Sequence, residues 1–304
     1  MENSASLKLD LLVFGDTCVD YFYEVDKLPK PNEAADVSRV HEFYGGMGAN
    51  TAVVASRLGL KTGLVSVIGS DAEPYRKYME AQGVKFILNT VFGDTTRSMF
   101  FKNNGENFSF FYKGVTEQLD NIEPGKNFSK NLIRYAGSIY MSRTYTRLQR
   151  KVAKLCKQKF LIYNPGYGVF EFTELPRDFL LILRNTNVLV LNQHEFNHLK
   201  KLGLKLGPRL GPKTFIITEG AKGCTIWEGA TRITIGTYPT KVVDASGAGD
   251  AFNAGFITAL QRNYKIIEAA KIANATASFV VEKWGCQTNI PNWADVLERH
   301  KSIN

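Results

Sequence analysis

The chain has 304 residues, of which 44% are hydrophobic, 22% charged and 12% aromatic. This composition excludes an intrinsically disordered chain, a collagen-like repeat and a small disulfide-rich domain. Lys and Arg number 38 against 29 Asp and Glu, so the formal net charge is +9. A basic balance suits anionic ligands such as phosphates, but it suits nucleic acid equally well and does not choose a function.

The cellular setting is predicted from the cysteines and from the hydropathy of the chain. The four cysteines stand far apart and form no CxxC pair, which favours a reducing interior over a secreted, cross-linked protein. The first ten residues include Glu2, Lys8 and Asp10, so we expect no signal peptide. No apolar stretch reaches the ~20 residues that a membrane helix needs. We therefore expect a soluble, cytoplasmic protein without a membrane partner.

Short apolar runs alternate with longer amphipathic segments along most of the chain. Each run has the length of a strand and is apolar on both faces, as expected for buried parallel strands joined by crossover helices. We therefore predict an α/β sandwich. The runs are 11–14, 64–68, 138–141, 160–163, 188–191 and 215–217.

Two segments rich in Phe and Tyr, 20–43 and 86–112, interrupt this alternation. The first lacks helical periodicity, and the second predicts a β-hairpin around the turn Asn103-Asn104-Gly105. We expect a small accessory sheet that leans over the main domain; the alternative is a set of edge strands of the main sheet. No internal repeat or long linker divides the chain, so residues 1–304 are interpreted as one domain.

The most informative stretch is Asp244-Ala245-Ser246-Gly247-Ala248-Gly249-Asp250, which leads directly into an apolar helical pattern. Backbone N–H groups at a helix N-terminus bind anions, and small residues let phosphate oxygens approach them closely. Asp250 follows at the helix start, where a carboxylate can accept a proton from a substrate hydroxyl. Besides a metal, phosphoryl transfer requires little more. The alternative is a plain N-capped helix.

A second glycine-rich turn, Tyr44-Gly45-Gly46-Met47-Gly48-Ala49-Asn50, also leads into a helical pattern. It lacks the Gly-Lys-Ser or Gly-Lys-Thr of a P-loop, so it does not predict a Walker-type nucleotide site. Its glycines would instead let a small polyol approach the backbone, where the Asn50 amide can hydrogen-bond hydroxyl groups.

Two local patterns indicate other functions. The stretch His194-Glu195-Phe196-Asn197-His198 matches the HExxH signature of zinc metalloproteases. Catalytic zinc needs three protein ligands, and besides His41 and His300 the chain has no further histidine, so the pattern favours a surface helix over a protease. The basic residues between 200 and 209 are typical of a solvated face, and we expect no nucleic-acid partner.

The two glycine regions resemble the signature regions of the ribokinase-like (PfkB) carbohydrate kinases. Their order and separation fit, and the resemblance extends from about residue 11 to residue 291, with landmarks at 164–165, 192–195, 218–223 and 285–287. It implies a three-layer αβα sandwich with a mostly parallel central sheet and a β-sheet lid. It also implies an ATP-dependent kinase that phosphorylates a hydroxymethyl group of a small sugar or sugar derivative.

The resemblance implies a role for each matching residue. Asp250 would be the general base, and the anion hole would consist of Gly247, Ala248 and Gly249. The acceptor would be bound by Asp20, Gly45, Gly46, Asn50, Arg143 and Asn164. ATP would be bound by Asn192, Glu195, Thr218, Gly220, Gly223 and Asn274.

The resemblance also implies two ions and a partner. Glu195 would reach Mg²⁺ through water. A monovalent cation, for which potassium is the candidate, would be held by Asp244, Ser246, Val280 and Gly285. The lid of the family is often a dimer surface, so we expect a homodimer formed through the lid.

Three departures from ribokinases bear on the acceptor. Met47 replaces a Lys, Cys18 replaces an Asn, and Arg143 stands in the place of a sugar-binding Glu. Because a guanidinium prefers anions, we hypothesise that ribose is not the best substrate, unless Arg143 points to solvent or pairs with a local acid. A nucleoside kinase of the same superfamily stays open, since the aromatic lid can stack a base. A non-catalytic binding protein is disfavoured by Asp250.

Overall fold

The computed structural model describes residues 8–88, 90–103, 106–207 and 209–302. In these ranges the strands are β1 (Leu11–Phe14), β2 (Cys18–Val25), β3 (Val37–Gly45), β4 (Thr62–Val65), β5 (Ile68–Gly69), β6 (Lys85–Phe86), β7 (Thr90–Val91), β8 (Arg97–Asn103), β9 (Glu106–Tyr112), β10 (Ser138–Ser142), β11 (Phe160–Asn164), β12 (Val188–Asn192), β13 (Thr214–Thr218), β14 (Cys224–Glu228) and β15 (Thr231–Ile235). The helices are α1 (Met47–Arg57), α2 (Glu73–Ala81), α3 (Lys130–Tyr135), α4 (Thr146–Leu155), α5 (Arg177–Leu183), α6 (Gln193–Lys201), α7 (Ala248–Gln261), α8 (Ile266–Val280) and α9 (Trp293–Lys301).

The large sheet has the strand order β15-β14-β13-β12-β11-β10-β1-β4-β6. The seven strands from β13 to β6 run parallel, and β14 and β15 add an antiparallel edge. Alternate residues of β1 point to opposite faces: Leu11 and Val13 pack with α1, α7 and α8, while Leu12 and Phe14 pack with α4 and α5. The predicted three-layer sandwich with a mostly parallel sheet is confirmed.

One predicted strand is divided in two. The apolar run 64–68 was expected to be continuous, but β4 ends at Val65, and Ile68 belongs to β5, which pairs with β7 outside the large sheet. The Thr17 hydroxyl donates to the carbonyl of Val67 at 2.8 Å, so the break between the two strands is held by the loop that follows β1.

A separate small sheet has the order β3-β2-β8-β9, in which β2 and β8 run parallel and the other pairs antiparallel. The accessory sheet is therefore present, and its strands are not edge strands of the large sheet. The second segment begins later than expected, because Phe86 lies in β6 of the large sheet and residues 90–91 form β7. The centre of the expected hairpin turn, 104–105, lies outside the described residues.

The small sheet is attached to the main body by aromatic packing and by a glycine turn. Phe22 of β2 meets the ring of Trp284 edge-on, with centroids 5.5 Å apart. The strand β3 ends at Gly45, and Gly46 then turns the chain into α1 with φ +97°. In the described part of the chain, no helix combines the length and the apolar composition that crossing a bilayer requires.

The Gly46→Ala variant should lose considerably more stability than Gly203→Ala. Both glycines have nearly the same positive φ, +97° and +95°, so both variants carry the backbone strain of about 1–2 kcal/mol. A Cβ at Gly46 would also lie 2.8 Å from backbone atoms of Asp16, Thr17 and Cys18, whereas a Cβ at Gly203 meets no atom within 4 Å. We expect an additional loss of about 1–3 kcal/mol in the free energy of unfolding by urea. Equal losses would contradict the tight turn.

Candidate active site

The glycine turn at 247–249 forms the N-terminus of α7. Gly247 is the N-cap residue, with the left-handed φ of +75°, and a Cβ there would lie 2.7 Å from the Cβ of Cys286. Among the described residues, no protein acceptor meets the N–H groups of Gly247 and Gly249. The N–H of Ala248 faces the carbonyl of Ala245 at 3.3 Å, so the expected three-amide cradle is reduced to two freely available donors.

Asp250 lies in the first turn of α7 with its carboxyl group buried. The Asn50 Nδ2 donates to its Oδ2 at 2.8 Å. Burial disfavours the charged form and raises the pKa of Asp250 to about 8, although the hydrogen bond from Asn50 acts in the opposite direction. A carboxylate whose pKa lies near neutral pH is suited to accept a proton and to release it again.

A cavity of about 190 Å³ opens in front of Asp250, at the carboxyl ends of the parallel strands. Asn164 ends β11, Asn192 ends β12 and Thr218 ends β13, so three strands in succession each deliver a polar side chain to the same edge. The predicted residues in the lining are Asn164, Asn192, Glu195, Thr218, Gly247, Gly249 and Asp250, and the remaining lining residues are Met47, Val190 and Asn253.

Glu195 and Asn192 hold each other in a capping box at the start of α6. The Glu195 carboxylate accepts from the backbone N–H of Asn192 at 2.9 Å and from its Nδ2 at 2.7 Å. Burial raises the pKa of Glu195 to about 7. Two adjacent oxygen-bearing side chains, one of them a carboxyl, are donors of the kind that Mg²⁺ prefers.

The surroundings of His194, Glu195 and His198 exclude the zinc protease alternative. Glu195 is buried, whereas His194 is exposed and the Nε2 of His198 lies 3.1 Å from the carbonyl oxygen of Phe172. The described ranges contain no group of three His, Cys, Asp or Glu side chains that could hold a metal ion. The HExxH match is therefore incidental.

Asp20, Gly45 and Asn50 form the predicted acceptor side. Asp20 is buried beside Gly45, where any added Cβ would overlap the Asp20 carboxylate, so this position requires glycine. Burial raises the pKa of Asp20 to about 6. Asn50 contacts Asp250, which lies 200 residues later in the chain, so the two glycine regions meet in space.

Arg143 pairs with a local acid, which is the alternative that sequence reasoning left open. Its Nη1 lies 2.8 Å from Asp16 Oδ2, and Asp16 Oδ1 also accepts from the N–H of Gly48 at 3.4 Å. Burial disfavours the charged guanidinium, but the attraction of Asp16 outweighs burial and raises the pKa of Arg143. Because this charge is already balanced, Arg143 no longer supports the hypothesis that ribose is not the best substrate.

The remaining predicted nucleotide residues lie outside the lining of this cavity. Gly223 has φ +87°, and a Cβ there would overlap the carbonyl of Ile235. Gly220, with φ +58°, has open space instead. Asn274 of α8 is buried, and its Nδ2 donates to the carbonyl of Gly236 at 2.9 Å. Of the six predicted nucleotide residues, Asn192, Glu195 and Thr218 therefore line the cavity, and Gly220, Gly223 and Asn274 do not.

Three of the predicted cation residues, Asp244, Ser246 and Gly285, are connected by hydrogen bonds. Asp244 Oδ1 accepts from the N–H and the hydroxyl of Ser246 at 3.2 and 2.9 Å, and its Oδ2 accepts from the N–H of Gly285 at 3.2 Å. The neighbouring carbonyl is that of Val281, which accepts from the N–H of Asp244 at 3.2 Å. The Asp244 carboxylate thus receives at least three hydrogen bonds from the described residues.

Sequence reasoning missed residues that structure places beside the site. Asn253 and Asp16 had usable signals: Asn253 follows Asp250 by three positions on one helix face, and Asp16 follows a buried strand. Tyr75 had none, and Gln287 had only its place in the landmark 285–287, because they reach the site through hydrogen bonds to Gly45 and Asn50 that only the fold creates.

Comparison with known proteins gives a consistent result. A family model described as pfkB family carbohydrate kinase matches residues 8–293. The chain is 31% identical over 295 residues to a nucleoside kinase of Methanocaldococcus jannaschii, with 94% of both chains covered. It is 29% identical over 306 residues to a ribokinase of Haemophilus influenzae, with 96% of this chain and 98% of the relative covered.

Solved structures agree with this relationship. The crystal structure of the nucleoside kinase of Methanocaldococcus jannaschii superposes with a TM-score of 0.85 at 28% identity, covering 97% of this chain and 99% of that one. The ribokinase of Thermotoga maritima superposes with a TM-score of 0.84 at 23% identity, covering 97% and 100%. The second likeness shows the fold alone.

The Asp250→Asn variant should be more stable than the wild type, and increasingly so as the pH rises from 5 to 8. The folded protein keeps a proton on Asp250 up to a pKa of about 8, whereas the unfolded chain loses it near the ordinary value of 3.8. The wild type therefore loses stability as pH rises through this window, and the amide does not.

We expect the gain in the free energy of unfolding to grow by at least ~1 kcal/mol between pH 5 and 8, the equivalent of about one pKa unit, in urea titrations. The matched control is Asp178→Asn, which removes a partly exposed carboxylate that lies 2.9 Å from Arg150. If the stability gain of Asp250→Asn over the wild type does not change with pH, ionisation of Asp250 does not destabilise the folded protein.

Proposed function

The chain belongs to the pfkB family of carbohydrate kinases, and from this membership we propose that it transfers the γ-phosphoryl group of ATP to the hydroxymethyl group of a nucleoside. The observation that carries the transfer step is the position of Asp250: its carboxyl group faces a cavity that is bordered by Gly247 and Gly249. A carboxyl group that could accept a proton and two backbone amides that could bind an anion therefore line one cavity.

In the proposed reaction, Asp20 and Asn50 orient the acceptor, and Asp250 takes the proton of its hydroxyl group. The hydroxyl oxygen forms a bond to the γ-phosphorus while the bond between that phosphorus and the β–γ bridging oxygen breaks, and ADP leaves. The N–H groups of Gly247 and Gly249 stabilise negative charge on the transferred group.

Glu195 and Asn192 would hold hydrated Mg²⁺ beside the phosphates, since a buried carboxyl and an amide oxygen donor line the cavity there. The bound ion would neutralise charge on the β- and γ-phosphoryl oxygens. Glu195 already accepts two hydrogen bonds from Asn192, which favours contact with the ion through water.

A nucleoside is proposed because a second cavity adjoins the first. It has about 200 Å³ and is lined by Arg143, Tyr145 and Tyr167 among others. The segment 164–168 separates the two cavities, with Asn164 in the first and Tyr167 in the second. The aromatic side chains in the lining of the second cavity suit a base that stacks on them. The similarity to a nucleoside kinase at 31% identity supports the same acceptor.

Three further parts of the proposal concern the surroundings of the enzyme. The small sheet would close over the acceptor as a lid, and its exposed Val40, Phe110 and Phe111 would form a homodimer surface. Four buried free thiols fit a reducing cytoplasm. A potassium ion near Asp244 stays a prediction, which replacement of K⁺ by Na⁺ in the assay tests.

Release of ADP should identify the acceptor when purine and pyrimidine nucleosides, ribose and a sugar acid are compared with MgATP. We expect kcat/KM for the best nucleoside to exceed that for ribose by at least ~10-fold, since one stacked base contributes about 1–3 kcal/mol. Asp250→Asn should lose about 10²–10⁴-fold in kcat with that nucleoside. If ribose is the best acceptor, the enzyme is a ribokinase and the nucleoside assignment is wrong.

Tyr167→Ala provides a sharper test of the base site. It should lower kcat/KM for the nucleoside by about 5–100-fold and leave kcat/KM for ribose unchanged. Tyr135→Ala is the matched control, because Tyr135 is about as exposed (50% against 57%) and lies on α3. Equal losses for nucleoside and ribose would show that the second cavity does not bind the base.

Gly249→Ala should raise the stability of the protein slightly and lower its turnover. A Cβ at Gly249 meets no protein atom within 4 Å, so the methyl group would occupy the space proposed for the phosphoryl group. Alanine stabilises a helix relative to glycine by about 0.5–1 kcal/mol, so the melting temperature should rise slightly. We expect kcat to fall by at least ~10-fold. Unchanged kcat would place the phosphoryl group elsewhere.

A further inference from the structure

A chain of buried hydrogen bonds connects the end of strand β3 with the carboxyl group of Asp250. The Tyr75 hydroxyl donates to the carbonyl of Gly45 at 2.7 Å, and Gln287 Nε2 donates to the Tyr75 oxygen at 2.8 Å. Gln287 Nε2 also donates to Asn50 Oδ1 at 2.8 Å, and Asn50 Nδ2 donates to Asp250 Oδ2 at 2.8 Å. We call Tyr75, Gln287 and Asn50 the amide relay.

The direction of every hydrogen bond in the amide relay follows from its Gly45 end. The carbonyl of Gly45 can only accept, so the Tyr75 hydroxyl must donate to it and accept from the Gln287 NH₂ group. The same Gln287 NH₂ group also meets Asn50, so Asn50 must present its Oδ1 to Gln287 and its NH₂ group to Asp250, where it stabilises the ionised carboxylate. The reversed direction would set Asn50 Oδ1 against Asp250 Oδ2, which suits only a protonated carboxyl group.

From this geometry we propose that Gln287 and Tyr75 are positioning residues that hold the Asn50 amide in the orientation that stabilises ionised Asp250. The catalytic part of this inference rests on the proposed function, in which Asp250 acts as the base. Neither residue touches the reacting atoms in this scheme; both act through Asn50.

The relay is poorly explained as a device for stability. Gln287 is buried, and its Oε1 has no hydrogen-bond partner among the described residues. An unsatisfied buried oxygen costs about 1–3 kcal/mol, and this cost offsets part of what the two hydrogen bonds donated by Gln287 Nε2 contribute to stability. The N–H group of Gln287 is therefore explained by its hydrogen bond to Asn50, which fixes the orientation of the Asn50 amide.

Other ionisable groups also act on Asp250, and the test leaves them unchanged. Asp16 from the loop after β1, Asp20 from β2 and Glu195 from α6 raise its pKa, as burial does. The Tyr140 hydroxyl and the Cys286 thiol also face Asp250 and interact electrostatically with it. The hydrogen bond from Asn50 opposes these effects, so its loss should raise the pKa of Asp250 further.

Two tyrosines on α2 provide a matched pair for the experiment. Tyr75 and Tyr78 both reach Gln287, but Tyr75 contacts its side-chain amide, whereas Tyr78 donates to its backbone carbonyl at 3.2 Å. Tyr75→Phe and Tyr78→Phe each remove one hydroxyl group and keep the ring. Gln287→Leu removes the donor itself.

We expect Gln287→Leu to lower kcat/KM at pH 7 by about 10-fold, the equivalent of one net hydrogen bond, and to move the ascending limb of its pH profile to higher pH. Tyr75→Phe should act in the same direction with a smaller effect, and Tyr78→Phe should leave the limb unmoved. In an Asp250→Asn background, Gln287→Leu should lower kcat/KM no further. If the ascending limb of the pH profile lies at the same pH in Gln287→Leu, Tyr75→Phe and Tyr78→Phe, the inference is wrong.

A second measurement needs no substrate, so it separates failure of this inference from failure of the proposed function. The stability gain of Asp250→Asn over wild type is followed against pH, with Gln287 intact and with Gln287→Leu. The midpoint of this gain should move to higher pH when Gln287 is replaced. If Gln287→Leu does not fold, the same comparison with Tyr75→Phe replaces it, and an unmoved midpoint overturns the inference in either background.

Discussion

The site depends on one hydrogen bond, from Asn50 Nδ2 to Asp250 Oδ2 at 2.8 Å, which joins two glycine turns 200 residues apart. The N-terminus of α1 can reach this position only because its backbone lies very close to the loop after β1. A Cβ at Gly48 would be 2.6 Å from the Cα of Gly15, so both positions exclude larger residues. The proposed acceptor side, which includes Asn50, and the proposed base, Asp250, are thus held in a fixed position relative to each other.

The buried carboxyl groups around the cavity lower the stability of the folded protein but suit proton transfer. Asp250, Glu195 and Asp20 are all buried near the same cavity, and burial raises the pKa of each. Three carboxyl groups that are costly to ionise make the free protein less stable as pH rises. In the proposed reaction, hydrated Mg²⁺ beside Glu195 would relieve this cost locally, while the N–H groups of Gly247 and Gly249 would face the negative charge of the phosphates.

The sequence predicted what local patterns determine. Runs that are apolar on both faces became the parallel strands, and the glycine turns became the N-termini of α1 and α7. It did not determine which groups are already paired in the fold: the Ala248 N–H meets the carbonyl of Ala245, the Val281 carbonyl meets the N–H of Asp244, and Arg143 pairs with Asp16, which was one of two alternatives left open. Gln287 stood in a recognised landmark, but its contact with Asn50 across 237 residues had no local signal.

Two strands of the small sheet carry residues of the candidate site. Strand β2 carries Asp20, β3 ends at Gly45, and both strands pair along their length. At the root of this sheet Phe43 packs so closely on Gly285 that a Cβ there would lie 2.5 Å from its ring, two residues before Gln287. A displacement of the sheet would therefore move the acceptor side directly, and its effect would reach Asp250 through Gln287 and Asn50. In the proposed reaction, acceptor binding and the orientation of Asp250 would consequently be coupled.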